Sequence, residues 1–275
     1  MIGALIQLLR PKLALLNAVT AVGGYLLFPA MVKVLPLSAV FCGVALLASG
    51  GSAINQVLEL DLDRLMKRTK LRPLPQGVLS PFAATLIGTG LILVGLALLG
   101  VVGNLKSALL GAAALMWYLA VYTPLKRHTS FALMIGAICG ALPPVIGWGF
   151  AGGYFFDYQI VLIYMLLYIW QIPHFWLLQR RHADDYRNAG IPLFGASETD
   201  FGFMKVWIMA LITAAMLLPV FGIIGKHVSV LHAALLLPLF ILTILRREKT
   251  LFTLLNLFPL FYVVCIFMTS MTIRF

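Results

Sequence analysis

The sequence predicts an all-α integral membrane protein with nine transmembrane helices, and three observations support that prediction. The 275 residues are 62% hydrophobic and only 11% charged, and the mean hydropathy is +1.02. A soluble domain would carry about 25% charged residues. Apolar runs recur at about the 20 residues that a helix needs to cross a bilayer. Lys and Arg outnumber Asp and Glu by 20 to 9, which at this hydrophobicity indicates a membrane partner rather than nucleic acid.

Nine apolar runs, each bounded by charged residues, Pro or Gly, give the predicted spans in chain order. They cover residues 13–32, 38–58, 82–102, 107–124, 130–150, 158–178, 204–225, 229–245 and 251–271. With the N-terminus in the cytoplasm, sixteen of the twenty Lys and Arg lie on the cytoplasmic side. Only Lys33, Lys106, Lys226 and Arg274 lie outside. Because Lys- and Arg-rich loops stay in the cytoplasm, we expect the N-terminus inside and the C-terminus outside.

The acidic residues follow the same asymmetry, since eight of the nine fall on the cytoplasmic side and only Asp157 falls outside. They gather in two long cytoplasmic loops, at about 59–81 and 179–203, within what we expect to be a single domain, 1–275. Long connections in compact proteins tend to be functional. We therefore expect the chemistry in these two loops.

The first loop carries the densest polar pattern. Asn55, Glu59 and Asp63 are spaced by four residues, which puts an amide and two carboxylates on one helical face, about 6 Å apart along the axis. Such oxygens suit Mg²⁺, which is usually held by one or two carboxylates and substrate phosphates. Basic residues follow at once and match phosphate oxygens: Lys67, Arg68, Lys70 and Arg72. The residues alone favour a magnesium–diphosphate site, while a solvated loop and an ion-transport role remain alternatives.

The stretch Asn55-x3-Glu59-x3-Asp63-x2-Met66-x-Arg68-Thr-Lys-x-Arg72-Pro-Leu resembles the first signature of the UbiA-type intramembrane prenyltransferases. Two later stretches extend the resemblance over most of the chain: Tyr122-Thr-Pro-Leu-Lys126-Arg127 with the Pro143-Pro144 segment, and Trp170-Gln171-Ile-Pro-His174 with Asp185-Tyr186. The Gln-x-Pro-His context is closest to the branch that farnesylates protoheme IX, the heme O synthases. Quinone-type relatives carry an acid where His174 stands.

The resemblance implies nine transmembrane helices and transfer of a farnesyl group from farnesyl diphosphate to a vinyl group of heme b, with Mg²⁺ as cofactor. It also implies an active site on the cytoplasmic side of a prokaryotic inner membrane, and heme A synthase or oxidase assembly factors as partners in heme–copper oxidase biogenesis.

The site residues that follow from the resemblance fall into three groups. The metal group is Asn55, Glu59, Asp63 and Asp185, which together with His174 form the catalytic set. The diphosphate group is Lys67, Arg68, Lys70, Arg72, Lys126 and Arg127. The heme group is His174, Gln171, Trp170 and Tyr168.

Two positions depart from the family patterns. Arg181 stands where quinone-type relatives carry an acid, and Asp184 competes with Asp185 for the second metal corner. Ala132 stands where the heme branch usually has Asn.

Two other functions are compatible with the pattern. One is prenylation of an aromatic or quinone precursor. The other is transport through nine spans, although transporters bind near the bilayer midplane and the charges here gather at one rim.

Overall fold

A computed structural model describes residues 1–194 and 201–274. The described chain is α-helical, and its helices run as follows: α1 Ile2–Leu9, α2 Pro11–Leu27, α3 Val34–Leu58, α4 Leu60–Leu65, α5 Pro81–Leu98, α6 Leu105–Met116, α7 Thr123–Leu125, α8 Ala132–Gly140, α9 Pro143–Phe150, α10 Tyr158–Arg181, α11 Ala183–Asn188, α12 Phe201–Val220, α13 Lys226–Ile244 and α14 Glu248–Arg274. Two π-helical stretches, Leu99–Gly103 and Trp117–Tyr122, extend α5 and join α6 to α7. Glu198, Asp200 and part of the predicted 179–203 loop lie outside the described residues.

The described helices supply eight segments long and apolar enough to cross a membrane, and a bent pair adds a ninth. That pair is α1 and α2, which meet at an angle of 46° at Arg10. The all-helical membrane fold is thereby confirmed. The boundaries differ most in the first span, predicted over 13–32, because α2 ends at Leu27 and a separate helix precedes it.

The fifth predicted span, 130–150, is one crossing but not one helix. It breaks between Gly140 and Pro143, because the two consecutive prolines at the start of α9 lack the backbone N–H groups that would continue α8. The seventh span, predicted to reach 225, ends at Val220 because Gly222 takes a left-handed conformation (φ 71°) that closes the helix. The break lies beside α10, since a Cβ on Gly140 would meet the Gln171 side chain at 2.1 Å.

The helices pack in a closed arrangement in which α2 contacts α3 on one side and α14 on the other, while α9 lies against α2 inside the bundle. Small residues permit the close crossings. A Cβ on Gly147 would lie 1.8 Å from the Ala21 carbonyl oxygen, and one on Gly24 would lie 1.9 Å from that of Pro144. The backbones of α2 and α9 are therefore in direct contact. The open space inside the bundle lies on the side of α3, α6 and α10.

Candidate active site

One large cavity occupies the interior of the bundle. Its volume is about 420 Å³, within the roughly 300–1,000 Å³ typical of sites for small ligands. Its deep wall is apolar and is formed by α3 and α6, through Val44, Leu47, Gly111 and Leu115. Its other end carries charged side chains from the helix termini and the first loop. The cavity therefore suits a ligand with a charged head and an apolar body.

The predicted ladder of Asn55, Glu59 and Asp63 is formed as the spacing requires, and all three line the cavity. Although α3 ends at Leu58, backbone hydrogen bonds from Glu59 N to Asn55 O and from Asp63 N to Glu59 O carry the helical spacing into α4. Asn55 Nδ2 donates to Glu59 Oε2 at 2.9 Å. The three residues are at most 5% exposed. Two carboxylates are thus buried at the charged end of an otherwise apolar cavity.

Each of these carboxylates is paired with a cation. Lys126 pairs with Glu59, and Arg72 donates to Asp63 Oδ2 at 2.7 Å. Arg68 lines the same end of the cavity. So does Arg10, which lies close enough to Arg68, Arg72 and Asp63 to interact with them electrostatically. Four cations and two carboxylates leave an excess of positive charge, which favours an anionic group at this end.

Arg10 is a site residue that sequence reasoning missed, because it was counted only as a cytoplasmic charge. The bend between α1 and α2 turns its side chain into the cavity, and its left-handed φ of 48° is unusual for a residue other than Gly. Pro11 at the start of α2 forms part of that bend. In the sequence, the pair Arg10-Pro11 next to an apolar run was the feature that could have indicated this bend.

Two tyrosines on the cavity wall were also not predicted as site residues. Tyr118 and Tyr122 lie in the π-helical stretch, stack with ring centroids 6.0 Å apart, and both line the cavity. The next residue, Thr123, donates through its hydroxyl to Asn55 Oδ1 at 2.8 Å. π-Helical turns are frequent at functional sites. Here the turn places aromatic rings on the cavity wall and a hydroxyl on the ladder.

Three of the predicted diphosphate ligands lie away from the cavity. Arg127 donates to Asp61 at 2.6 and 2.9 Å, on the opposite side of α4 from Asp63, and the Asp61 side chain is 63% exposed. Lys67 and Lys70 are exposed on the loop. The structure does not bring these three to the charged end of the cavity.

His174 is held between two aromatic rings on the cavity wall. Its ring stacks on Trp170 at 5.0 Å and on Phe252 of α14 at 5.3 Å, with interplanar angles of 21° and 12°. Trp170 is itself fixed by donating to the Leu255 carbonyl at 2.8 Å. Within the described residues, His174 Nδ1 is buried with no hydrogen-bond partner. The imidazole is therefore fixed in orientation and retains hydrogen-bonding capacity for a ligand.

Of the other two residues predicted to contact heme, one lines the cavity and one does not. Gln171 lines the cavity and donates to the Ala137 carbonyl of α8 at 3.4 Å. Tyr168 is half-buried against the apolar core and does not line the cavity. The face that α10 turns to the cavity thus carries Trp170, Gln171 and His174.

Asp185 does not join the ladder. Both of its carboxylate oxygens accept backbone hydrogen bonds from the first loop, Oδ1 from Lys67 N at 3.0 Å and Oδ2 from Arg68 N at 3.1 Å. The neighbouring Tyr186 lines the cavity. Asp184 is exposed, and among residues 1–194 and 201–274 its ion pair is a local one, with Arg187. The second loop therefore reaches the site directly through Tyr186 and indirectly through the contact of Asp185 with the first loop.

Outside the spans, three pKa shifts report the electrostatics of the loops. The hydrogen bond from Arg127 lowers the pKa of Asp61. Burial, then Arg68 and Arg181, lower the pKa of His182, so its imidazole is held neutral beside these cations. Burial raises the pKa of Tyr186, with Arg68 opposing that shift. The positive charge at the charged end of the cavity thus extends to the second loop.

The donor set suits a hard divalent cation that shares its coordination with substrate. Among residues 1–194 and 201–274, no three His, Cys, Asp or Glu side chains lie close enough together to hold a metal ion by themselves. Glu59 and Asp63 nevertheless offer two buried carboxylates in one cavity. Mg²⁺ is usually bound by one or two carboxylates with phosphate oxygens and water completing its shell. The residues therefore fit Mg²⁺ bound together with a phosphorylated ligand.

The fold and the cavity define a class of protein: an intramembrane enzyme whose cavity accepts an apolar chain carrying an anionic head. The family model for the UbiA prenyltransferase family matches residues 16–270. The chain belongs to the UbiA prenyltransferase family.

Curated relatives and solved structures agree with that membership. The chain is 54% identical over 257 residues to the protoheme IX farnesyltransferase of Geobacter sulfurreducens, covering 92% of this chain and 94% of the relative. It is 40% identical over 233 residues to the enzyme of that name from Oleidesulfovibrio alaskensis, covering 82% and 80%. The fold matches an apo UbiA homologue from Aeropyrum pernix at TM-score 0.77 and 20% identity, covering 95% and 99%. It also matches an Archaeoglobus fulgidus UbiA homologue bound to DMAPP and Mg²⁺, at TM-score 0.73 and 16% identity, covering 97% and 98%.

Proposed function

We propose that this protein transfers the farnesyl group of farnesyl diphosphate to a vinyl group of heme b, releasing diphosphate and yielding heme O. The observation that carries the proposal is that one cavity holds both a charged end for a diphosphate and the stacked His174 for the acceptor. The name shared by the relatives at 54% and 40% identity supports the choice of substrates.

The charged end would bind the diphosphate. Arg10, Arg68 and Arg72 face the negative charge that grows on the leaving diphosphate as its bond to the allylic carbon breaks, and such fixed charges lower the barrier where charge develops. Glu59 and Asp63, with Asn55 supporting Glu59, would hold Mg²⁺, which supplies further charge neutralisation for the leaving group. We do not include Lys67, Lys70 or Arg127 in this set.

The apolar walls would hold the farnesyl chain and keep water from the allylic cation. The terminal vinyl carbon of heme b then forms the new carbon–carbon bond, and one water adds its oxygen to the other vinyl carbon and releases a proton. This leaves a hydroxyethylfarnesyl substituent. Tyr118 and Tyr122 present aromatic faces along this path, and such faces stabilise cations. His174, Trp170 and Gln171 would orient the porphyrin.

We place the reaction at the cytoplasmic side of a prokaryotic inner membrane, because the charged end of the cavity lies among the Lys- and Arg-rich connections. The product would leave into the bilayer, toward heme A synthase or the assembly factors of a heme–copper oxidase.

The deciding experiment incubates purified protein with farnesyl diphosphate and Mg²⁺ in the presence of either heme b or 4-hydroxybenzoate. We expect a new porphyrin whose mass exceeds that of heme b by one farnesyl group and one hydroxyl group, formed only when Mg²⁺ is present. Prenylated 4-hydroxybenzoate with unchanged heme would assign the protein to quinone-type chemistry. Uptake of solute into liposomes without any prenylated product would identify a transporter.

A further inference from the structure

The two cytoplasmic loops form one structure above the charged end of the cavity. Leu62, Met66, Ala189 and Ile191 form a buried apolar cluster, against which Tyr186 packs. This cluster joins α4 and the turn after it to α11 and the chain that follows, although more than a hundred residues separate them. We call residues 60–72 together with 182–191 the cap.

Asp185 makes the polar contact at the centre of the cap. The residue is 7% exposed, and its two carboxylate oxygens accept from two consecutive backbone N–H groups, those of Lys67 and Arg68, at 3.0 and 3.1 Å. Two adjacent N–H groups that point in one direction form a site for an anion. Hydrogen bonds with an ionised acceptor are also about twice as strong as neutral ones. The carboxylate thus fixes the backbone at the residues that lead into the cavity.

Arg68 is the residue whose position depends on this contact. It is the second of the two whose amide binds Asp185, and its side chain lines the charged end of the cavity. We propose that Asp185 is a positioning residue: by holding the Lys67–Arg68 backbone, it places the Arg68 guanidinium for the diphosphate. Asp185 is then not a magnesium ligand. This inference rests on the proposed function, since it takes an allylic diphosphate as the substrate.

The alternative role for Asp185, as a fourth metal ligand, fits the described residues less well. Its two oxygens already accept from two backbone N–H groups in a part-buried contact, and a carboxylate that turned toward a metal ion would lose these hydrogen bonds. Among residues 1–194 and 201–274, Asp185 also forms no cluster of metal-binding side chains with Glu59 and Asp63. The two roles predict different kinetic effects when the carboxylate is removed.

The test compares Asp185→Asn with Asp184→Asn. The second variant is a matched control, because Asp184 is the adjacent acid but its side chain is 86% exposed and its ion pair, within the part of the chain that the structure describes, is with Arg187. In Asp185→Asn the side chain keeps its size, but its NH₂ group faces one of the two backbone N–H groups. Two donors then face each other, and one hydrogen bond is lost. We expect the KM for farnesyl diphosphate to rise about tenfold, the scale of one lost charged hydrogen bond. We expect the Mg²⁺ concentration for half-maximal rate at saturating farnesyl diphosphate to stay within about twofold of the wild type.

Two further measurements test the inference, and the first of them does not depend on turnover. Trypsin should cleave after Lys67 and Arg68 faster in Asp185→Asn than in Asp184→Asn, because the backbone there is no longer held. Asp185→Glu, which keeps the carboxylate, should restore much of the protection. In a double-mutant cycle with Arg68→Gln, the two changes should be strongly non-additive in KM, because they remove one interaction.

The opposite pattern would overturn the proposal. A rise in the Mg²⁺ requirement with an unchanged KM for farnesyl diphosphate would make Asp185 a metal ligand. Additive effects of Asp185→Asn and Arg68→Gln would separate the two residues. Failure of the wild-type protein to prenylate heme would refute the proposed function instead, and the trypsin comparison would still report on the cap.

Discussion

At the scale of single residues, three acids within five positions have different environments because of the helical angle between them. Glu59 and Asp63 are one helical turn apart and both face the cavity, where they are at most 5% exposed. Asp61, halfway between them, points away and pairs with Arg127 at the surface. The sequence spacing was enough to predict this division, since residues i and i+4 share a face and i+2 does not.

This division makes Asp61 an internal control for the metal site. Glu59→Gln and Asp63→Asn should each lower Mg²⁺-dependent turnover by about 100-fold or more, because each removes a charge from the site and leaves Lys126 or Arg72 without its partner. Asp61→Asn should retain nearly full activity. Steady-state rates over a Mg²⁺ titration measure all three, and full activity in Glu59→Gln would refute the metal assignment.

His174 gives a second prediction at the scale of residues. We expect the prenyl acceptor, heme b, and the prenyl donor, farnesyl diphosphate, to be bound by different side chains. His174→Ala removes the imidazole held between Trp170 and Phe252. It should lower kcat/KM for heme b by about tenfold or more while the KM for farnesyl diphosphate changes by less than about twofold. His128, exposed on the loop after α7, is the control. Equal losses toward both substrates would show that His174 only supports the fold.

Other residue contacts lay beyond what the sequence could predict. The contact of Asp185 with Lys67 and Arg68 joins positions 118 and 117 residues apart, and no local spacing encodes such a distance. Arg10 entered the prediction only as a cytoplasmic charge, because its direction depends on the 46° bend between α1 and α2. Local periodicity predicted the ladder, whereas tertiary packing decides which cations reach it.

At the scale of helices, length and hydropathy predicted where the chain crosses the membrane but not how each crossing is built. The stretch Trp117–Tyr122 is π-helical, and its Tyr118 and Tyr122 both face the cavity. The break before Pro143 divides the fifth crossing. Both irregularities border the cavity, where packed neighbours can compensate for backbone groups that a regular helix would satisfy.

The contact of α2 with α9 gives a prediction at this scale. Gly147→Ala would force a Cβ into the Ala21 carbonyl, with an ideal separation of 1.8 Å, so the two helices must move apart. We expect destabilisation by about 1–3 kcal/mol or more, the usual cost of overpacking, with a lower unfolding temperature in detergent. Gly90→Ala on α5 is the control, because a Cβ there meets no atom within 4 Å. Unchanged unfolding of Gly147→Ala would contradict the close packing.

At the scale of the whole molecule, apolar side chains cover the outside as well as the core. Large residues such as Leu86, Leu93 and Val101 are more than 60% exposed on the α5 segment, as expected where the surrounding medium is hydrocarbon. Charged side chains are instead concentrated near one end of the bundle, where the cap and the charged end of the cavity lie. Some of the basic residues therefore line the cavity, and the others give the charge asymmetry from which the orientation in the membrane is predicted.

The orientation itself is the last prediction, and it depends on the number of crossings. If α1 and α2 form one bent span, nine crossings place the termini on opposite sides. The excess of sixteen Lys and Arg against four then puts the N-terminus and the cap in the cytoplasm. Alkaline phosphatase, which is active only outside the cytoplasm, should be active when fused after α14. It should be inactive when fused after Arg247, between α13 and α14, where green fluorescent protein should instead fluoresce. The reverse pattern would invert the whole molecule and place the diphosphate site outside. Activity at both positions would mean that α14 does not cross.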